Sequence, residues 1–403
     1  MAEQYSVRAS HCDHRATDEE VYQVLKKTTE PLERSWDRLE KARTVVLKFN
    51  MMHSHPEYFE GRRRELVDDS VARATLRLLR ERTCARLIAT DTSVYHGDYR
   101  TPKDHNYAYL LEEFGVEYDD SNLPPFGTYE VPGGGCMFDR YTLSGVFQEA
   151  DEMVSIAKMK SHLYMGITLS TKNLFGLPPM RPPEGRSRVY YHHFIRLAYV
   201  LPDLAMICRP CLNIVDALVG QWGMEWGGEG RVTDALLAGD HPIATDACGA
   251  HLMGCDPTAD WPTPPFRRDR NHLLIAAQRG FGTVNLDEID FQSEVEAPLN
   301  DFDAVAMDSP ETVESWRRTA CQQGLYYRDN ADRLIGEYAN QFIYLQDGEV
   351  VWNGENPDNL GSRRVLSGDR KDSALWLKLV DPEEKEGEVF GAYEECLALL
   401  AAG

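Results

Sequence analysis

The chain has 403 residues, 42% of them apolar, with a formal charge of −22 at pH 7 and a pI near 5.0. This length exceeds one ordinary core and predicts two subdomains with terminal additions, while the acidic balance argues against nucleic acid or an anionic membrane as partner. The sequence contains no apolar run of about 18 residues and no signal-peptide pattern, which predicts a cytoplasmic protein with no membrane partner.

The nine cysteines are odd in number and scattered, as suits reduced thiols rather than a disulfide framework. Cys208 and Cys211 form the one close pair and read as packed core thiols. Residues 1–17 are polar and read as a frayed terminus, a poor scaffold for the metal-type side chains of His11-Cys12-Asp13-His14. Asp18, Glu19 and Glu20 open a helical region over 18–42 that Pro31 breaks in two. The β-branched run from Thr44 predicts a strand that ends at Asn50, just before His53 and His55. Val67, Val71, Ala74 and Leu78 recur at helical spacing, and 86–91 supplies another strand ending at Asp91. Strand, helix, strand predicts parallel pairing through a right-handed crossover. Ligands of open sheets gather beyond the carboxyl ends of the strands, where Lys48, Asn50, His53, His55 and Asp91 fall. Residues 104–115 read as helix, and the Gly-rich loop 131–135 has neither a phosphate-loop lysine nor dinucleotide spacing, so no nucleotide motif is present.

The chain is organised around 154–177. Val154, Ile156, Lys158, Lys160 and His162 share one strand face by alternation, and that face changes from apolar to cationic. Two lysines on a buried face need an anion to meet them. After the turn at Gly166, the spacing puts Thr168, Thr171 and Lys172 on one side of a helical turn, the makings of an anion site. A Pro-rich connector over 178–185 leads to His192 and His193, only one of which is expected to reach the site. Leu212 to Asp216 is a buried-type strand ending in a carboxylate, the Gly- and Trp-rich stretch 220–230 reads as a lid, 232–238 returns as a strand, and Asp246 sits in the first turn of a helix that runs to Met253. Beyond 290 the chain is acidic, with a helical pair over 310–341 and then a hairpin about Asp347-Gly348.

Lys158-Met159-Lys160-Ser161-His162, followed by Gly166-Ile167-Thr168-Leu169-Ser170-Thr171-Lys172-Asn173-Leu174-Phe175-Gly176-Leu177, resembles the signature of the family called domain of unknown function 362. Lys48-Phe49-Asn50, a histidine at 192–193, the strand ending at Asp216 and the stretch from Ala238 to Asp246 follow the same pattern in order, over about residues 40–290. The resemblance implies a fold and a site position. Many relatives carry a ferredoxin-like iron–sulfur module whose cysteine runs this sequence lacks, so no iron–sulfur cluster is expected.

Taken together, the sequence predicts an α/β protein with an open, mostly parallel sheet and flanking helices. Its expected divisions are an N-terminal helical segment (1–42), two subdomains (43–150 and 151–290) and an acidic α+β hairpin extension (291–403) that serves structure or homo-oligomer formation. Lys48, Lys158, Lys160, His162, Lys172 and Asn173 are the candidate catalytic residues, and Asn50, Asp91, Thr168 and Thr171 the candidate substrate contacts. His53, His55, His193, Asp216 and Asp246 are candidate ligands for one divalent transition metal, because several histidines and a carboxylate from separate strand ends suit such a site. The expected function is that of an enzyme acting on a small anionic or polyphenolic metabolite by metal-assisted or Lys/His acid–base chemistry. With no serine elbow and no activated cysteine motif, a lyase, isomerase or oxidoreductase is favoured over a covalent hydrolase. The contrasting expectation is a non-catalytic anion-binding or carrier protein.

Overall fold

Apolar, β-branched runs pair into one large sheet because each carries alternate side chains to opposite faces that helices can cover. The computed structural model describes residues 4–51, 56–92, 106–180, 186–303, 305–357, 370 and 373–402. Its strands are β1 (Tyr5–His11), β2 (Thr44–Phe49), β3 (Tyr58–Phe59), β4 (Arg62–Arg63), β5 (Arg86–Asp91), β6 (Glu117–Asp120), β7 (Phe126–Glu130), β8 (Arg140–Ser144), β9 (Glu152–His162), β10 (Gly166–Thr168), β11 (Leu212–Trp222), β12 (Glu229–Gly239), β13 (Ile289–Ser293), β14 (Phe342–Gln346), β15 (Glu349–Gly354) and β16 (Trp376–Leu379). The main sheet runs β13-β1-β12-β11-β9-β2-β5-β6, with β10 folded back onto β9. From β11 to β6 every pairing is parallel, and β12 runs against both of its neighbours.

Helices cover both faces. Val21 and Leu25 of helix Asp18–Thr29 and Val71 and Leu78 of helix Asp69–Arg82 pack with Val45, Leu47, Val154, Ile156 and Ile214 on one side. On the other, helices Arg196–Cys208, Pro242–Leu252 and His272–Gln278 bury Leu201, Ile243 and Leu273 with Met153, Ala157, Val215 and Leu237. The expected α/β class with a mostly parallel sheet is thus the observed one. Among the described residues no helix is long and apolar enough to cross a membrane.

The helix break near Pro31 appears as separate helices Asp18–Thr29 and Glu33–Lys41. Thr17 and Glu20 close a capping box at the start of the first. The terminus differs from expectation: Tyr5–His11 is not frayed but is a strand held between β12 and β13. Pairing on both edges and the buried Val7 and Ala9 outweigh its polar composition.

The C-terminal region builds its own three-stranded sheet, β15-β14-β16, and the hairpin turn at Asp347-Gly348 takes the left-handed conformation at both residues. It is nonetheless packed into the same hydrophobic cluster as the face of the main sheet that lies under helices Arg196–Cys208, Pro242–Leu252 and His272–Gln278. An ionic tie reinforces this. The fully buried Lys378 ammonium lies 2.9 Å from Glu384, 2.7 Å from Glu386 and 2.8 Å from Glu388, and Glu388 also meets Arg196 of helix Arg196–Cys208 at 2.9 Å. Lys378→Met leaves buried carboxylates without their shared cation and is expected to cost about 3–5 kcal/mol, read from urea denaturation. A loss under about 1 kcal/mol would mean that the cluster does not hold the two sheets together.

Candidate functional site

Alternation along β9 does put Lys158, Lys160 and His162 on one face, yet their surroundings differ. Lys158 is fully buried, with its ammonium 2.9 Å from Asp216 on β11. That carboxylate also accepts the amide of Asp68, the residue that caps helix Asp69–Arg82, so the pair fastens the helix start to the sheet. Burial raises the Asp216 pKa and Lys158 opposes the rise. Between Asp216 and Gln221 the register of β11 shifts, and Lys160 therefore has Gln221 beside it where Lys158 has a carboxylate.

Lys160 instead reaches a cavity of about 80 Å³ at the carboxyl ends of the parallel strands, room for a few heavy atoms. Lys48, Asn50, Asp91, Lys160, His162, Thr168, Lys172, Asn173, Gly176, Arg188, His192, Glu225 and Trp226 surround it. Its floor is a saturated network. The Lys48 ammonium lies 3.0 Å from Asp91 and donates to the side-chain oxygen of Asn173 at 3.0 Å, while the Asn173 amide donates back to the Lys48 carbonyl at 2.9 Å. Asp91 accepts the amides of Met51 and Thr92 as well. Gly176 passes directly over this floor: a Cβ there would lie 2.3 Å from the Asp91 carboxylate and 2.7 Å from the Lys48 ammonium, so only glycine fits.

The walls carry the unspent charge. Lys160 donates to the Glu65 carbonyl at 2.8 Å and lies 4.4 Å from the Trp226 ring. Burial lowers its pKa to about 8. Lys172 is 9% exposed and stands 5.0 Å from the Phe175 ring, with no hydrogen bond or salt bridge among the described residues, the Glu225 carboxylate acting on it only at longer range. Burial, with Arg188 next, brings its pKa down to about 7. Arg188 donates to Thr92 at 2.8 Å, and burial lowers its pKa to about 10. The buried Thr168 hydroxyl finds no partner among the described residues. Four cations thus face two carboxylates, Asp91 and Glu225, and Asp91 is already held by Lys48.

His162 has a defined tautomer. Its Nδ1 accepts the amides of Tyr164 at 3.0 Å and Met165 at 3.2 Å, which places the proton of the neutral ring on Nε2, 3.6 Å from Glu225. Burial, with Lys172 next, holds its pKa well below the ordinary value, so the ring is neutral and its Nε2–H is the donor. His192 and His272 are likewise held at about 3 by burial and by Lys172.

Of the catalytic and substrate-contact residues named from sequence, Lys48, Asn50, Asp91, Lys160, His162, Thr168, Lys172 and Asn173 are brought together, and Lys158 and Thr171 are not. Asp246 accepts the amides of Ser170 at 2.8 Å and Thr171 at 2.6 Å, and so holds the short helix Ser170–Asn173 that carries Lys172. Asp216 is committed to Lys158, so neither aspartate faces the cavity. His192 lines it, whereas His193 faces a second, larger cavity. His53 and His55 lie outside the described residues. Among the described residues, Asp13, His14 and Asp234 form a group with metal-type atoms within 4.8 Å of one another, but none of them lines the cavity. There Asp234 already accepts from His14 at 2.7 Å. Sequence reasoning missed Arg188, Gly176 and Glu225 as individuals; only the lid-like composition of 220–230 pointed toward Glu225 and Trp226.

Two outcomes follow from this geometry. Gly176→Ala is expected to cost on the order of 3 kcal/mol in urea denaturation, because the methyl group must displace the Lys48–Asp91 pair. Lys172 gives up its proton near 7 when folded and near its ordinary 10.5 when unfolded. Between those values the unfolded chain binds the extra proton, so stability rises with pH over that window. Lys172→Met should flatten the rise, seen as a smaller shift of the urea midpoint between pH 6.5 and 9.

The Thylakoid-associated protein sll1697 of Synechocystis sp. (strain ATCC 27184 / PCC 6803 / Kazusa) is 27% identical over 159 residues, covering 36% of this chain and 48% of that protein. The chain therefore matches about half the length of that curated relative. Among solved structures, the lactate racemase apoprotein from Thermoanaerobacterium thermosaccharolyticum overlays with a TM-score of 0.37 at 14% identity, over 62% of this chain and 56% of that one. The sequence pattern described as Domain of unknown function (DUF362) matches residues 45–251, a span that holds every residue around the small cavity. Because that match takes in just over half of the chain, the protein belongs to the DUF362 family.

Proposed function

We propose that the protein is an enzyme that draws the anionic group of a small metabolite into the cationic cavity and moves a proton on it with Lys172. The observation that carries this reading is the buried Lys172 ammonium with no salt bridge to a carboxylate among the described residues, beside Lys160 and Arg188. A lysine kept for stability alone would be matched by a carboxylate, as Lys48 and Lys158 are. Arg188 and Lys160 supply fixed positive charge for a carboxylate or phosphate, and the Thr168 hydroxyl and the His162 Nε2–H supply hydrogen bonds. Lys172, neutral in part near pH 7, then takes a proton from the held molecule, and its ammonium returns one. This chemistry belongs to an isomerase or lyase. The lysine-centred form is favoured over a metal-assisted one because Asp216 and Asp246 are engaged away from the cavity and His162 turns an N–H toward it.

A carrier protein would bind the same anions without proton transfer, and solvent exchange separates the two readings. Short carboxylates incubated with the protein in heavy water are expected to exchange the hydrogen on the carbon beside the carboxylate, followed by NMR. Lys172→Met should lower that rate by about 10²–10⁴-fold, the usual contribution of a positioned acid or base. The rate should rise as Lys172 loses its proton near pH 7 and fall as Lys160 loses its proton near pH 8. Tight anion binding with no exchange in any of the carboxylates would favour the carrier.

A further inference from the structure

The imidazole of His192 lines two neighbouring cavities. On one side lies the cationic cavity, and on the other a cavity of about 660 Å³, within the roughly 300–1,000 Å³ of small-molecule sites. Tyr164, Phe194, Leu197, Trp316 and Leu375 line the larger one. The rings form a continuous aromatic surface toward the smaller cavity: Tyr164 meets His192 edge-on at 5.4 Å between centroids, and His192 lies 6.4 Å from His162.

The two cavities differ in charge. Every charged side chain around the larger one is balanced by the protein itself: Arg268 meets Asp308 at 2.6 Å, and Asp269 accepts from Arg317 at 2.6 Å and from the amides of Ile195 and Arg270. The flat Arg268 guanidinium is laid against rings, 4.3 Å from the centroid of Tyr164, 5.4 Å from Trp316 and 5.7 Å from Phe194. Such a stack offers planar faces and no net charge. The smaller cavity holds the surplus cation and too little room for more than a head group.

We infer that the ligand is bipartite, an anionic head in the cationic cavity carrying an uncharged planar tail, best an aromatic ring, that passes His192 into the larger cavity. This rests on the proposed function for the head and adds the substrate class. It also gives the C-terminal region a part in recognition, since Trp316 and Leu375 come from it.

Calorimetric titration of the full chain with acetate, which is head alone, and 3-phenylpropionate, which is head with planar tail, tests this. The phenyl compound is expected to bind at least about 30-fold more tightly, the worth of burying one ring. Trp316→Ala and, as a variant that fills the cavity without removing core, Ser373→Trp should each cut that preference to about threefold or less, about 1.4 kcal/mol or more of lost selectivity. Lys172→Met should weaken both compounds by a similar factor. Equal affinities for the two compounds, or a preference that survives both cavity variants, would overturn the tail assignment while the head reading stands if Lys172→Met weakens both. Binding unaffected by Lys172→Met, or no binding of either compound, would overturn the head reading and the tail assignment with it.

Discussion

Two of the lysines at the strand ends, Lys48 and Lys158, are neutralised by aspartates of neighbouring strands, and that neutralisation is what the rest of the site depends on. A buried ammonium opposite a carboxylate, with amides filling the remaining lone pairs, is a rigid structural joint. Lys48 and Asp91 join β2 to β5 and seat Asn173; Lys158 and Asp216 join β9 to β11 and seat the start of helix Asp69–Arg82. With those charges spent, Lys160 and Lys172 remain as cations that no carboxylate meets at hydrogen-bond distance among the described residues. Burial is the first cause of the depressed pKa of both lysines, and the Glu225 carboxylate offsets it only in part.

The period of β9 was enough to place Lys160 and His162 on one site, because alternation is local geometry that a sequence carries directly; the helical turn expected over Thr168, Thr171 and Lys172 is instead strand β10 followed by the short helix Ser170–Asn173, so Thr168 and Lys172 reach the cavity from different elements and Thr171 does not line it. What separates Lys158 from Lys160 is a register shift in the partner strand β11, and no pattern within β9 contains it. Asp246 illustrates the same limit. A carboxylate in a helix first turn reads as a cap or a ligand; in the fold it caps a different helix, Ser170–Asn173, brought to it by tertiary packing. The N-terminal strand was hidden for a related reason: a short polar stretch with Val7 and Ala9 becomes a strand only because two edges wait for it.

The C-terminal region is separate in sequence character and continuous in packing. Its small sheet shares a hydrophobic cluster with the main fold, and Lys378 collects three glutamates of which one also holds Arg196. Composition registered the acidic change beyond 290 but could not register that these acids answer buried cations. Such an attachment fixes Trp316 and the segment before β16 in place against His193 and Leu197, which an appendage on a free linker would not do.

The histidines complete the division of labour. In a cavity crowded with cations, imidazole stays neutral, so His162 and His192 bring hydrogen-bonding and flat surface where a further charge would be repelled. The constraint runs the other way as well. An anion entering the cavity would favour the protonated lysines and supply the charge the protein withholds, so the bound molecule becomes the missing partner of Lys172. On the proposed reading, the arrival of an anion and the protonation of Lys172 are therefore coupled, each favouring the other.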